Sequence, residues 1–274
     1  DVMEVDGNTG RLTKVYPSTD TYIRTSSLID ISDKDFYVVD IFRVRGGNDH
    51  IYSFHGAEGQ VRVEGLNLVK QPKGTYYGAG TEFAADIYGD YRASRPGQGF
   101  QYLHSVQKGK MTGDAFSVEY DIIDTWGVNT PRRDIKLRLT GLGDYDSVDL
   151  AVGDPPQISR NPEHLQYVLI RNTKEPDKPG LIPSIKKAIS SIVDKEGYEK
   201  QNAPLETRFV TVIEAYEGER VVKDIKRLKT TQDSVTAQGV AIKVEVPGRT
   251  DYILSSLDPE VEVKFEGGIE FKGR

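Results

Sequence analysis

The sequence predicts an all-β fold, a large antiparallel β-sandwich of supersandwich type, interrupted by one short inserted helix and ending in strands able to form a small C-terminal β-sheet. Three observations carry this reading. Strand-like runs bounded by Gly, Pro, Asn and Asp follow one another almost from end to end, at sandwich spacing and without βαβ alternation. Apolar and polar residues alternate inside several runs: Phe116, Val118, Tyr120 and Ile122 against Ser117, Glu119 and Asp121, and Ile135, Leu137 and Leu139 against Lys136 and Arg138. A helical period surfaces in one segment only.

In chain order the expected strands are Leu12–Tyr16, Thr21–Thr25, Ser27–Ile31, Phe36–Val44, His50–His55 and Gln60–Val63. Each is rich in β-branched or aromatic residues, which fit a pleated, half-buried surface. Gly65 to Gly99 reads instead as a long loop rich in Gly, Tyr and Pro, carrying Tyr76, Tyr77, Tyr88, Tyr91, Arg92 and Arg95. Loops of that length in compact domains are often functional. Strands resume at Tyr102–Lys108, Ala115–Ile123, Asp134–Leu139, Ser147–Val152 and Gln166–Arg171. From Pro183 to Glu196 the apolar residues Ile185, Ala188, Ile189, Ile192 and Val193 fall at i, i+3, i+4, i+7 and i+8, the stripe of a short amphipathic helix packed on a sheet. Arg208–Tyr216 returns to β. After Gly218 come shorter strands with tight polar links: Val221–Leu228, Ser234–Gln238, Val240–Val246, Thr250–Ser255, Val261–Phe265 and Ile269–Phe271. Residues 1–217 thus read as the large sandwich. Residues 218–274 either complete it or form a small β-subdomain.

Composition narrows the classes of function. A chain of 274 residues can bury a substantial core. No stretch approaches the 18 or so apolar residues of a membrane-spanning helix. The residues from Asp1 onward show no secretory leader and already read as structured, so the chain reads as a mature or trimmed segment. Zero cysteines exclude disulfides, thiolate metal sites and Cys nucleophiles. A formal charge of −6 and a pI near 5.4 argue against a nucleic-acid surface. Tyr is plentiful, 15 against 9 Phe and 1 Trp. Such amphipathic rings serve equally as half-buried strand residues and as surfaces for sugars or protein partners.

The segment Tyr37 to Gly56 holds the main candidate chemistry. Two β-rich runs flank Gly46, Gly47, Asn48 and Asp49, and Gly-Asn is a two-residue hairpin signal because both positions tolerate positive φ. With Gly47 and Asn48 in the turn, Arg45 faces His50, Val44 faces Ile51, and Asp40 faces His55. The period of two puts Asp40 on a face with Val38, Phe42, Val44 and Ile51, where a carboxylate needs a partner. An Asp–His pair in a sheet supports either a structural hydrogen bond or a zinc or acid/base pair. Two ligands fall short of the three or four that zinc takes.

Other motifs are missing: Gly-x-Ser-x-Gly, a phosphate-binding Gly loop, His-Glu-x-x-His and an EF-hand spacing. With four histidines and no cysteine, any transition-metal site would draw on His50, His55, His104, His164 and carboxylates. Arg43 and Arg92 are candidate contacts for an anionic sugar through bidentate pairing, and Tyr76 and Tyr77 candidates for contact with its rings.

Tyr22-Ile23-Arg24-Thr25, Phe36 to Val44, Gly46-Gly47 and His50 to Gly56 together resemble the C-terminal β-domain of heparinase II/III-like polysaccharide lyases. Trp126, Arg138-Leu139-Thr140, Ala151 to Pro156 and Phe209 to Glu214 fit the same type of domain, and the likeness weakens after about residue 218. The resemblance implies β-elimination of a uronate-containing acidic polysaccharide, with this sandwich closing a cleft against an N-terminal α/α toroid of the same parent chain. It implies a periplasmic or secreted setting. It also implies that Tyr52 and His55 are candidate catalytic residues, and that Asp40 and His55 hold zinc with an earlier His. That earlier position reads Tyr22, Ile23, Arg24, which leaves Arg24 as an alternative partner for Asp40. The leading expectation is therefore the sandwich portion of such a lyase, inactive without its toroid. The alternatives are a non-catalytic carbohydrate-binding or packing module, and a self-contained β-fold lyase using His and Tyr from one groove.

Overall fold

A computed structural model describes residues 3–5, 12–14, 19–83, 99–128, 133–155, 162–174 and 203–273. Its strands begin with β1 (Met3–Val5), β2 (Leu12–Lys14), β3 (Thr19–Asp30), β4 (Phe36–Gly46), β5 (Asp49–His55), β6 (Gly59–Glu64) and β7 (Leu66–Lys70). They continue with β8 (Leu103–Met111), β9 (Ala115–Ile122), β10 (Ile135–Leu142), β11 (Ser147–Gly153), β12 (Leu165–Thr173) and β13 (Glu206–Glu217). The last six are β14 (Asp224–Arg227), β15 (Thr230–Gln232), β16 (Val240–Val246), β17 (Arg249–Ser255), β18 (Val263–Phe265) and β19 (Ile269–Phe271). Every pairing between them is antiparallel. The chain is an all-β sandwich. The inserted helix expected at Pro183–Glu196 lies outside the described residues.

The main sheet runs β3-β4-β13-β10-β9-β6 and the second sheet β5-β12-β11-β8-β7. Between them lies a core of Phe42 and Val44 from β4, Tyr52 from β5, Val118 and Tyr120 from β9, Leu139 from β10, Leu150 from β11, Ile170 from β12 and Phe209 from β13. The last strands form a cap of two three-stranded sheets, β14-β16-β17 and β15-β18-β19. Val240, Ile242 and Val244 of the cap pack against Tyr37, Val39, Ile41, Val210 and Val212 on the other face of the main sheet. β4 and β13 are therefore covered on both faces, which explains why they read as nearly continuous apolar runs while β9 and β10 alternate.

The strand limits need three corrections. Thr21–Thr25 and Ser27–Ile31 are halves of the single strand β3, the loop expected at Gly65–Gly99 begins with β7, and Ser234–Gln238 is a turn. The hairpin at Gly47 and Asn48 is the larger correction. β4 bonds to β3 on one side and β13 on the other, so it has no free edge to offer β5. β5 pairs with β12 in the opposite sheet instead. The glycine signal marks a real reversal, with φ of 99° at Gly46 and 75° at Gly47, but the reversal carries the chain from one layer to the other. Buried His50 closes that corner, its Nε2–H donating to the Gly46 carbonyl (2.6 Å) and its Nδ1 accepting from the Thr207 hydroxyl (2.9 Å).

Arg43, expected to contact substrate, is completely buried. Its odd position on β4 turns it toward the cap, where Nε donates to the Gln238 carbonyl (2.9 Å) and Nη2 to the carbonyl and hydroxyl of Ser255 (3.1 Å each). Burial, followed by the nearby guanidiniums of Arg208 and Arg227, pushes Arg43 down to about 10. It fastens the cap rather than facing solvent.

Arg43→Ala should cost about 3 kcal/mol or more, because it empties a large buried site and orphans two carbonyls. Urea midpoints would show this, and an unchanged midpoint would remove Arg43 as the fastener. His50 generates a pH prediction. Burial holds it below its ordinary value, partly offset by its bond to Gly46, so folding disfavours the proton that the unfolded chain accepts. Its contribution is complete above the unfolded value of about 6.5 and is lost as pH falls below it. Unfolding free energy should therefore decline between about pH 6.5 and 5, and less so in His50→Gln.

Candidate functional site

The even face of β3 and β4 places Arg24, Ser26 and Asp40 at the open edge of the sandwich, where β5 brings Tyr52 from the opposite sheet. Asp40 is 1% exposed and fully engaged. It accepts from Arg24 Nε (2.9 Å) and Nη2 (2.7 Å), from the Ser26 hydroxyl (3.0 Å) and from the Tyr52 hydroxyl (2.8 Å). The Arg24 guanidinium also lies 5.4 Å from the Tyr52 ring centre and closes the edge over it. The bond to Asp40 raises Arg24, while burial and then the Asp40 charge push the Tyr52 phenol above its usual value.

His55 is not part of this cluster. It lies three residues from Tyr52, about 10 Å along the strand, and by parity on the other face of the second sheet. The Asp40–His55 pair expected for zinc is therefore not formed, because the register that would have opposed them does not exist. The oxygens of Asp40 already hold a cationic guanidinium, so these residues do not fit the metal. Among the described residues no group of three or more His, Cys, Asp and Glu side chains is placed to hold a metal ion.

The far end of the second sheet gathers what the sequence left scattered. His55 pairs across from Tyr167, their rings 4.8 Å apart. Gly153, opposite the start of β12, leaves room for that tyrosine: a Cβ there would sit 2.7 Å from its ring. Asp154 follows Gly153 at the end of β11. Its carboxylate holds two imidazoles, His104 Nε2 at 3.0 Å and His164 Nδ1 at 2.7 Å. Three of the chain's four histidines thus lie at one end of the second sheet, His55 with Tyr167 on its outer face, and His104 and His164 on Asp154 at the parity of the core-facing Leu150 and Val168.

A bulge aims His104. The β8–β11 register shifts between Leu150 and Val152, and Ser105 takes a φ of +50°, a sparsely allowed region for a residue with a side chain. Ser105 Oγ and His104 Nδ1 lie 2.9 Å apart, and the Phe83 ring packs on the imidazole at 4.6 Å. Burial pushes Asp154 up, but the bonds from His164 and then His104 outweigh it, so this carboxyl titrates below its usual value. An ionised Asp154 fixes the tautomer of His164 with Nδ1 protonated, which leaves Nε2 as a lone-pair acceptor. The His164 side chain is 65% exposed, and Nε2 has no partner among the described residues.

On the outer face Tyr76 packs with Leu103, Val106, Ala151 and Leu169, and Tyr77 follows it in the chain. Tyr76 is buried over Lys108, whose ammonium is 4.3 Å from its ring centre and bonds to buried Asp149 at 2.9 Å. Burial, then the charge of Asp149, pushes Tyr76 above its usual value. The neighbouring Tyr77 is 56% exposed. Arg92 lies outside the described residues. Sequence reading named His104 and His164 only as two members of a short histidine inventory. The Asp154 that joins them is visible only once β8, β11 and β12 are aligned.

Compared with known protein families the chain matches none, and no curated protein matches it.

Tyr52→Phe removes one of the donors on a buried carboxylate and should cost about 1.5–3 kcal/mol. The same substitution made beside Arg24→Gln should cost less than the two changes summed, since both act on Asp40. A double-mutant cycle in urea checks this, and strict additivity would show that the cluster is not one network.

Proposed function

We propose that this chain is the β-sandwich portion of a heparinase II/III-like polysaccharide lyase, acting on a uronate-containing polysaccharide together with a helical toroid of its parent chain. The observation that carries the reading is the Asp154-oriented His164, with Nε2 open to solvent at the rim of the second sheet. β-Elimination needs a base and an acid within reach of one sugar, and His164 supplies the first.

In this reading His164 Nε2 takes the C5 proton, as an imidazole oriented by a carboxylate does elsewhere. The electron pair left at C5 forms the C4–C5 double bond and expels the glycosidic oxygen from C4. That oxygen takes its proton from an acid on the toroid of the parent chain, because Tyr167, three residues from His164, leaves the strand on its other face. His55 and the exposed ring of Tyr77 contact neighbouring sugars. Arg92 remains the sequence's candidate for the substrate carboxylate. Tyr52, sealed behind Arg24 against Asp40, braces the sandwich edge and takes no proton from substrate. A periplasmic or secreted location suits such a substrate.

The exposed Tyr77 also favours a second reading, a carbohydrate-binding module without turnover. The two separate cleanly. Incubation of the parent chain with heparan sulfate, chondroitin sulfate and alginate should yield the absorbance of an unsaturated uronate with one of them, and His164→Gln should cut the rate by about 10²–10⁴. Glycan binding without that chromophore would leave the module, and a fully active His164→Gln would remove the assigned base.

A further inference from the structure

The main sheet is only half covered by the cap, and the uncovered half carries rows of polar residues in strict register. Arg62 on β6 faces Glu119 on β9, which faces Arg138 on β10, which faces Glu214 on β13. One row over, Glu64, Ser117 and Thr140 line up across the same strands. Where the segment carrying Arg220 and Lys223 crosses toward β14, these rows floor a cavity of about 190 Å³.

Two polar atoms in that lining are buried and unpartnered. Thr140 is 7% exposed, and among the described residues its hydroxyl has no partner and Arg138 Nε no acceptor. A valine would fill the space of Thr140 without an unpaired hydroxyl. The other groups are held in place: Arg138 Nη2 on Glu64 (2.5 Å), Ser117 on Glu64 (3.2 Å), and Arg220 on Glu214 through Nε (3.0 Å) and Nη2 (2.5 Å). Lys223 forms no ion pair with a described carboxylate, whereas Arg138 is held by Glu64 and Glu119 and Arg220 by Glu214.

We infer that this cavity between the main sheet and the cap binds one carboxylate-bearing sugar residue. Braced Arg–Glu pairs and free hydroxyl and N–H groups suit the vicinal hydroxyls of a ring, and Lys223, the lining cation that no described carboxylate holds, suits a carboxylate. The cavity opens to solvent and is of a size for one sugar ring, with the rest of a chain lying outside it. The site lies on the opposite sheet from the histidine cluster, so it holds glycan rather than cleaving it. The inference rests on the glycan reading for its ligand class.

Calorimetry on the intact chain with glucuronate and with glucose tests it. Saturable glucuronate binding, about tenfold tighter than glucose, is expected. Thr140→Val should weaken it about fivefold, the order of one hydrogen bond, without lowering the melting temperature. Lys223→Gln should abolish the preference for glucuronate over glucose. Absence of saturable binding, or binding indifferent to both substitutions, overturns the site. Polymer cleavage by the parent chain, measured alongside, separates the two ideas: cleavage without glucuronate binding removes this cavity alone, and glucuronate binding without cleavage removes only the lyase reading.

Discussion

β4 is occupied on all four sides, and the rest of the architecture follows from that constraint. Its two hydrogen-bonding edges belong to β3 and β13, one face packs into the sandwich core, and the other packs under the cap. A strand so enclosed cannot end in a hairpin, because the returning strand would find no free donors or acceptors. The chain must leave the plane, and Gly46 and Gly47 supply the positive φ angles that let it. Leaving the plane puts β5 in the opposite sheet. That single step turns Tyr52 inward to Asp40 and His55 outward to Tyr167.

Local information in the sequence identifies most of the strands. Alternation in β9 and β10, and turn residues between runs, are properties of neighbouring positions, and a period of two reads them directly. That Asp40 needs a partner was legible for the same reason, but sequence reading put His55 first and Arg24 second, and Arg24 is the one that binds it. The partner across the reversal was not legible. A hairpin and a crossing between layers share the same glycine signal, and what separates them is whether the first strand's far edge is already taken by β13, some 170 residues later. Arg43 was misplaced by the same kind of ignorance. Its parity showed which face it occupies, but only the docking of Gln238 and Ser255 made that face an interior. The histidine cluster depends on three strands and a bulge, so no window of sequence contains it.

The two faces of the main sheet also show how burial selects residue type. Beneath the cap the outward positions are Val39, Ile41, Val210 and Val212, and beyond its rim they become Arg138, Glu119 and Arg62. Surface ion pairs of this kind contribute little to stability individually, about 0–1 kcal/mol. Their alternation across strands is better understood as a way to keep a wide sheet face wet without presenting an unpaired edge of one charge to a second copy.

The placing of proton-transfer groups follows from the same division. A phenol at the position of Tyr52 is held by a carboxylate that already carries a guanidinium, and drawing its proton away would put a second negative charge beside Asp40 in a water-poor edge. That cost makes the Asp40 cluster a brace. At the other end of β5 the burden is reversed. Asp154 has its charge balanced by two imidazole N–H groups at a partly open surface, and the opposite nitrogen of His164 can gain a proton while the carboxylate beside it offsets the new charge. Of the two Asp-centred clusters, only the one at the rim of the second sheet can change its protonation without breaking the fold around it.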